Sequence, residues 1–193
     1  MNITIITGSG TSNNLPTLRD NFDVTQLNRK NFIRNSVELS NVLYGFRDLV
    51  NNNKPNEFYY YINELQETHN INIITQNVDG YHKQSGNKNV YEIHGNINRD
   101  RIIYNWFKKY KLPDIVLYDE PIRYPYTIMQ ILLQSDITIF IGTSLKTKPV
   151  ANFVEHLAGK IFWIDPNAHD DRYVCINEDA YIGLKKVFEI YIH

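Results

Sequence analysis

The sequence predicts an α/β fold: a Rossmann-like parallel sheet with helices on both faces and a reduced small lobe. Three observations carry that prediction. Short β-branched runs alternate with stretches of helical spacing. The first run ends in Gly8-Ser9-Gly10, and several later runs end in polar residues. Open parallel sheets hold their ligands beyond such strand ends.

Residues 2–7 (NITIIT) are short and β-branched, as a strand covered on both faces should be. A Gly/Ser/Thr/Asn loop follows over 8–14. Residues 29–50 place Leu39, Val42, Leu43, Phe46 and Leu49 at helical spacing. The run NNNKPN at 51–56 breaks that helix, and Pro55 suits the first turn of the next. That next helix is read over 56–68, burying Tyr59, Ile62 and Leu65. Further strands are read at 71–75, 89–93, 114–118, 137–142 and 160–165, with a last helix over 178–190. The 193 residues suit one domain, 1–193, with small-lobe insertions near 25–55 and 96–112.

Composition narrows the function classes. A formal net charge of -1 leaves no footprint for direct nucleic-acid contact or for an anionic membrane. A single cysteine, Cys175, excludes an intrachain disulfide framework and a four-cysteine zinc site, so no metal site is expected. It also points to a reducing, cytoplasmic setting. The segment MNITIITGSG reads as a strand entering a glycine turn rather than as a leader peptide. No apolar run is long enough to span a bilayer.

Five strand ends carry the candidate chemistry. Gly8, Ser9 and Gly10 let backbone N–H groups approach a pyrophosphate, although Asn13 breaks a full GxGxxG and a plain tight turn fits equally well. Gln76, Asn77 and Asp79 crowd amides and a carboxylate into one turn, as an amide-bearing ligand needs; Asn77 also suits a helix cap. His94, followed by glycine, is a candidate general base, although a lone histidine is more often structural. Gly142, Thr143 and Ser144 offer close backbone approach and two hydroxyls. Asp165 can accept from ribose hydroxyls, and Asp-Pro is also a strong turn pair.

Taken in order, these segments resemble the sirtuin family of NAD-dependent protein deacylases. The matching stretches are GSGTS (8–12), KPN (54–56), TQNVDGYH (75–82), EIHGN (92–96), IVLYDE (115–120), GTSLKTKP (142–149) and WID (163–165). The resemblance implies NAD as cofactor and an acyl-lysine peptide or protein as substrate. It implies that Gly8, Ser9 and Gly10 face the pyrophosphate and that Gln76, Asn77 and Asp79 line the ribose and nicotinamide pocket. His94 would be the general base on a ribose hydroxyl. Ser144 and Asp165 would touch the adenosine half, with Ala180 and Tyr181 near the adenine. Val116, Leu117 and Tyr118 would pair with an extended substrate peptide by strand addition. The implied products are deacylated lysine, nicotinamide and O-acyl-ADP-ribose.

The departures from the family pattern are specific. The four zinc cysteines between the HG segment and the V-V-x-F-G-E strand are absent, and residues 96–112 are basic and aromatic instead. In the cofactor loop Pro16 and Arg19 fit, but Thr17 replaces an acid and Leu18 an aromatic. Asp119 stands for a glycine and Asp165 for an asparagine. Tyr44 and Arg47 fall near the position of the Tyr-x-x-Arg pair of family members that remove succinyl or malonyl groups. Arg47 would then pair the acyl carboxylate; a solvent-exposed helix arginine is the alternative. The leading expectation is a protein-lysine deacylase of the deacetylase or desuccinylase type. The rivals are an NAD glycohydrolase, favoured by the shortened cofactor loop and absent cysteines, and an inactive NAD- or ADP-ribose-binding module.

Overall fold

The computed structural model describes residues 1–105, 108–145, 157 and 159–192. Six strands form one parallel sheet: β1 (Asn2–Thr7), β2 (Asn70–Thr75), β3 (Val90–Glu92), β6 (Ile137–Ile141), β7 (Lys160–Ile164) and β8 (Val174–Ile176), in the spatial order β3-β2-β1-β6-β7-β8. The chain runs outward from β1 to β3, then crosses to the other side of β1 to build β6, β7 and β8. The boundary between β1 and β6 is therefore the topological switch point, where such sheets open a crevice. Strand alternation divides the core. Ile3 and Ile5 join Ile71, Ile73, Ile139 and Leu184 on one face. Ile6 joins Ile74, Phe140, Ile128 and Leu132 on the other.

Seven helices are described. They are α1 (Leu18–Asn21), α2 (Arg29–Arg34), α3 (Ser36–Asn51), α4 (Glu57–Leu65), α5 (Tyr81–Gln84), α6 (Pro125–Leu133) and α7 (Ala180–Tyr191). The helix expected over 29–50 is two helices, because Asn35 leaves helical geometry with φ -126° and ψ 38°. Leu49, expected in the core, is 44% exposed on the far side of α3, and Val50 takes the inward position.

The expected strand at 114–118 does not enter the parallel sheet. Residues Lys108–Ile115 form β5, antiparallel to β4 (Gly95–Asn105), with a register irregularity between Asn96 and Asp100. This hairpin and helices α2 and α3 make the small lobe. Its core holds Phe32, Leu43, Ile97, Ile103 and Leu112, with Phe32 meeting Tyr110 edge to face at 5.6 Å. Polar ties add to the packing. Arg47 donates through Nε to the Ile97 carbonyl (2.6 Å) and through Nη2 to the Arg99 carbonyl (2.8 Å) and Asp100 (2.6 Å). Buried Glu92 accepts from Lys83 (2.9 Å) and Arg99 (2.7 Å), and Arg123 grips Asp114 with both terminal nitrogens. The aromatic pair at 106–107 and the segment from 146 onward in GTSLKTKP lie outside the described residues.

Gly95 joins the β3 turn to the lobe. Its φ is +88°, and a Cβ there would lie 2.1 Å from the Asp114 carbonyl oxygen. Substitution therefore meets both backbone strain and a backbone clash that no side-chain rotation relieves. Gly95→Ala is expected to cost about 2–4 kcal/mol in urea denaturation. A loss under about 0.5 kcal/mol would show that the hairpin shifts freely.

Candidate functional site

Five of the parallel strands end in loops that border one cavity of ≈ 1050 Å³. In sheet order, the lining residues at these ends are His94 after β3, Gln76 and Asn77 after β2, Gly8 to Gly10 after β1, Gly142 to Ser144 after β6, and Asp165 after β7. Four strand spacings separate β3 from β7, or roughly 19 Å at the usual interval. An elongated ligand lying across the strand ends would touch all five loops.

The centre of this row is built by glycine contact. A Cβ on Gly8 would lie 2.6 Å from the Gly142 carbonyl oxygen, and one on Gly10 would lie 2.7 Å from the Gly142 Cα. Gly142 has φ +60°, which disfavours any side chain. The Gly10 N–H donates to the Gly142 carbonyl at 3.0 Å. Trp163 Nε1 holds the next residue, donating to the Thr143 carbonyl at 3.0 Å, and Gln76 Nε2 donates to Thr143 Oγ1 at 3.1 Å. These glycines thus serve close backbone packing and line the cavity as well.

Asn77 does not cap a helix. Its amide nitrogen donates to the Gly8 carbonyl (3.1 Å) and to Thr11 Oγ1 (3.0 Å), tying the β2 loop to the β1 loop. Asp79 lies behind it, 5% exposed, accepting from the Tyr81 N–H (3.0 Å) and Ser12 Oγ (3.2 Å). The Ser12 hydroxyl also meets the Tyr59 hydroxyl at 2.8 Å. Burial pushes Asp79 up to about 6, and burial together with the Asp79 charge raises Tyr59. Burial also depresses His94, and it brings His82, whose Nε2 lies 3.1 Å from Thr7 Oγ1, down to about 3. His94 is therefore a neutral imidazole near pH 7.

Arg19, Val116, Leu117 and Tyr118 also line the cavity. The 116–118 segment follows β5, enters a turn at Tyr118, and is already bonded on both sides. The Val116 N–H donates to the His94 carbonyl and the Tyr118 N–H to the Leu27 carbonyl, each at 2.7 Å. On the other edge Leu117 donates to Glu120 Oε2 (3.0 Å), and the Glu120 N–H returns to the Leu117 carbonyl (2.9 Å). Asp165 lines the cavity, and its Oδ1 accepts from the Asn167 N–H at 2.9 Å in a turn.

Four expected site residues lie elsewhere. Tyr44 and Arg47 do not line the cavity; the Arg47 guanidinium is committed to the hairpin and stacks 5.0 Å from the Tyr44 ring centre. Ala180 is buried at the start of α7, and Tyr181 packs edge to face on Tyr61 at 5.6 Å. Sequence reading missed Tyr59, Ser12 and Trp163 as supports, and Leu27, Phe46 and Glu120 as cavity wall. Glu120 lay within a quoted motif, and Leu27 and Phe46 gave only a core signal.

The fold and site define a doubly wound α/β domain with an elongated ligand crevice along its strand ends. Comparison with known proteins is consistent with that class. The Sir2 family model matches residues 17–104. An NAD-dependent protein deacylase of Helicobacter pylori is 33% identical over 149 residues, which are 65% of this chain and 65% of that protein. An NAD-dependent protein deacetylase of Saccharolobus solfataricus is 31% identical over 166 residues, 70% of this chain and 67% of that protein. The chain therefore spans about two thirds of the length of these relatives, just under it for the first. A crystal structure of Sir2 with the inhibitor EX-527, 2′-O-acetyl-ADP-ribose and deacetylated p53 peptide superposes with a TM-score of 0.82, at 22% identity over 97% of this chain and 93% of that one. A Sir2–p53 peptide–NAD+ structure gives 0.80 at 22% identity, covering 97% and 92%. This chain belongs to the Sir2 family.

The two buried groups beside the site oppose each other in pH dependence. Asp79 is raised from 3.8, so its contribution to stability is full below 3.8 and is lost as pH rises through about 6. His82 is depressed from 6.5, so its contribution is full above 6.5 and is lost as pH falls toward about 3. Asp79→Asn removes the first slope and leaves the second. The variant's urea stability is expected to rise by about 1–3 kcal/mol between about pH 4 and 6.5, while that of the parent stays flatter. Parallel curves would refute the assignment of Asp79.

Proposed function

We propose that this chain is an NAD-dependent protein-lysine deacylase, giving nicotinamide and O-acyl-ADP-ribose. The observation that carries this reading is the row of strand-end residues from His94 to Asp165 along one cavity. The glycine cradle at Gly8, Gly10 and Gly142 suits a pyrophosphate, because side chains there would fill the space that backbone N–H groups need. Gln76, Asn77 and Asp79 would hold the ribose and nicotinamide half, and Thr143, Ser144 and Asp165 the adenosine half. Arg19 would close over the phosphates from α1. In the reaction the acyl-lysine carbonyl oxygen would displace nicotinamide, a neighbouring ribose hydroxyl would take up the acyl carbon, and a water would release the free lysine amine.

His94 serves as the base that takes the proton from that hydroxyl. Its neutral form is what a base requires, and the desolvation that keeps it neutral also strengthens its hydrogen bond to substrate. Val116 to Tyr118 would receive the substrate peptide once the Leu117–Glu120 pair opens, since strand addition needs those backbone groups. Among the described residues the lobe is held by apolar packing and ion pairs. The single cysteine supports a reducing, cytoplasmic setting. Direct nucleic-acid and membrane contact are outside this reading; no helix among the described residues is long and apolar enough to cross a membrane.

Two observations favour NAD glycohydrolysis as a second reading. The Leu117–Glu120 pair occupies the edge a peptide would use, and Leu18 stands in the cofactor loop where the family has a shielding aromatic. The protein should be incubated with NAD, with and without acyl-lysine peptide, and its products identified. Peptide-dependent O-acyl-ADP-ribose is the expected result. ADP-ribose formed at the same rate without peptide would replace the deacylase by a glycohydrolase, and binding without products would leave a nucleotide-binding module. His94→Ala is expected to lower peptide turnover by about 10²–10⁴-fold. The acid limb of the parent's pH–rate profile should fall below the ordinary histidine value of 6.5. Parent-like turnover by the variant would remove His94 from the base role.

A further inference from the structure

Helix α4 turns two polar side chains onto the loop after β1. Asn56, just before its first residue, donates through Nδ2 to the Thr11 carbonyl at 3.0 Å. One turn later, Tyr59 brings its hydroxyl to Ser12 Oγ at 2.8 Å and to Thr11 Oγ1 at 3.3 Å. Tyr59 is fully buried, and its ring packs on Phe58, Tyr81 and His82. Phenylalanine would fill that space as well. A buried hydroxyl is costly unless it is bonded, so the reason for tyrosine lies in what its oxygen meets.

The protons of this cluster can be placed one by one. The Gly8 carbonyl only accepts, so the amide nitrogen of Asn77, 3.1 Å away, must face it. Thr11 gives its own proton to the same carbonyl at 2.8 Å and accepts from Asn77 at 3.0 Å. Ser12 gives its proton to Asp79 Oδ2 at 3.2 Å, which leaves its oxygen needing a donor. Tyr59 is that donor, and its own oxygen lies 3.5 Å from Asn77 Nδ2. Burial and the Asp79 charge keep the phenol protonated. The result is a directed chain from Tyr59 to Ser12 to Asp79, with Asn77 braced beside it. Asn77 Oδ1 is left as an acceptor without a partner among the described residues. Asn77 and Ser12 both line the cavity, and Tyr59 does not.

Resting on the deacylase reading above, we infer that Tyr59 is a positioning residue for the cleavage of NAD. Acting through Ser12, it fixes the serine hydroxyl and the Asn77 amide at the nicotinamide end of the site. Five loops share the cofactor, so lost order at one of them falls on the reacting bond more than on binding.

The test measures nicotinamide release from NAD and an acyl-lysine peptide by the full chain at about pH 8, where Asp79 is ionised. Tyr59→Phe keeps the ring and removes the hydroxyl. Its kcat is expected to fall roughly 10- to 100-fold while KM for NAD stays within about threefold. Tyr81→Phe is the control. It removes a hydroxyl from the same ring cluster, bonded to the Val50 carbonyl at 3.4 Å, and should turn over like the parent. Tyr59→Phe combined with Ser12→Ala should lose less than the product of the two single losses, because the pair acts as a unit. A parent-like kcat in Tyr59→Phe, a loss confined to KM, an equal loss in Tyr81→Phe, or losses that multiply in the double variant overturn the inference and leave the deacylase reading standing. A parent that releases no nicotinamide ends the deacylase reading, and the inference falls with it.

Discussion

The contact between the Gly8–Gly10 turn and Gly142 is the constraint on which the rest of the site depends. Two loops leave neighbouring strands at the switch point and touch through bare backbone. That closeness sets where Asn77 finds the Gly8 carbonyl and where Gln76 finds Thr143. The bonds from Trp163 and Asn77 then hold the turns from either side. The floor of the crevice is fixed by sterics first and by hydrogen bonds second.

The small lobe rests on this floor through a few backbone bonds. Val116 joins it to the His94 carbonyl, and Ile97 donates to the Val78 carbonyl. Around those bonds the lobe is held by side chains of ordinary kinds: an aromatic pair, aliphatic packing, and arginines on carboxylates and carbonyl oxygens. The buried Glu92 is central, because its partners Lys83, Asn96 and Arg99 come from α5 and the hairpin. The strand that carries it also leads into His94, so lobe packing and imidazole position share one segment.

Much of this was legible in the sequence, for identifiable reasons. Strands β1, β2, β6 and β7 announce themselves because both faces are covered, which demands unbroken β-branched runs. Their polar ends mark the crevice because an apolar core has no other use for Gln76, Asn77 or Asp165. The hairpin escaped because DIVLY has the same composition whether it lies in a central sheet or in a two-stranded ribbon; its partner lies about twenty residues upstream, beyond any local pattern. Asn35 carries no breaker signal, so the joint between α2 and α3 was invisible. The expectation for Arg47 rested on spacing along one helix, whereas its partners, Ile97, Arg99 and Asp100, lie about fifty residues away. Ala180 and Tyr181 are placed by order along the chain, whereas the Tyr181 ring packs on Tyr61 of α4.

The reciprocal bond between Leu117 and Glu120 gives this molecule a door latch. The Leu117 N–H is kept occupied by the chain's own Glu120 carboxylate, and Arg101 sits 2.7 Å from the same oxygen. Rotating the Glu120 side chain frees the Leu117 N–H, while the Glu120 N–H to Leu117 carbonyl bond belongs to the backbone turn. An exposed strand edge is a hazard for any protein in a crowded solution, because it invites pairing with the wrong neighbour. Here the same glutamate keeps the Leu117 N–H from standing open.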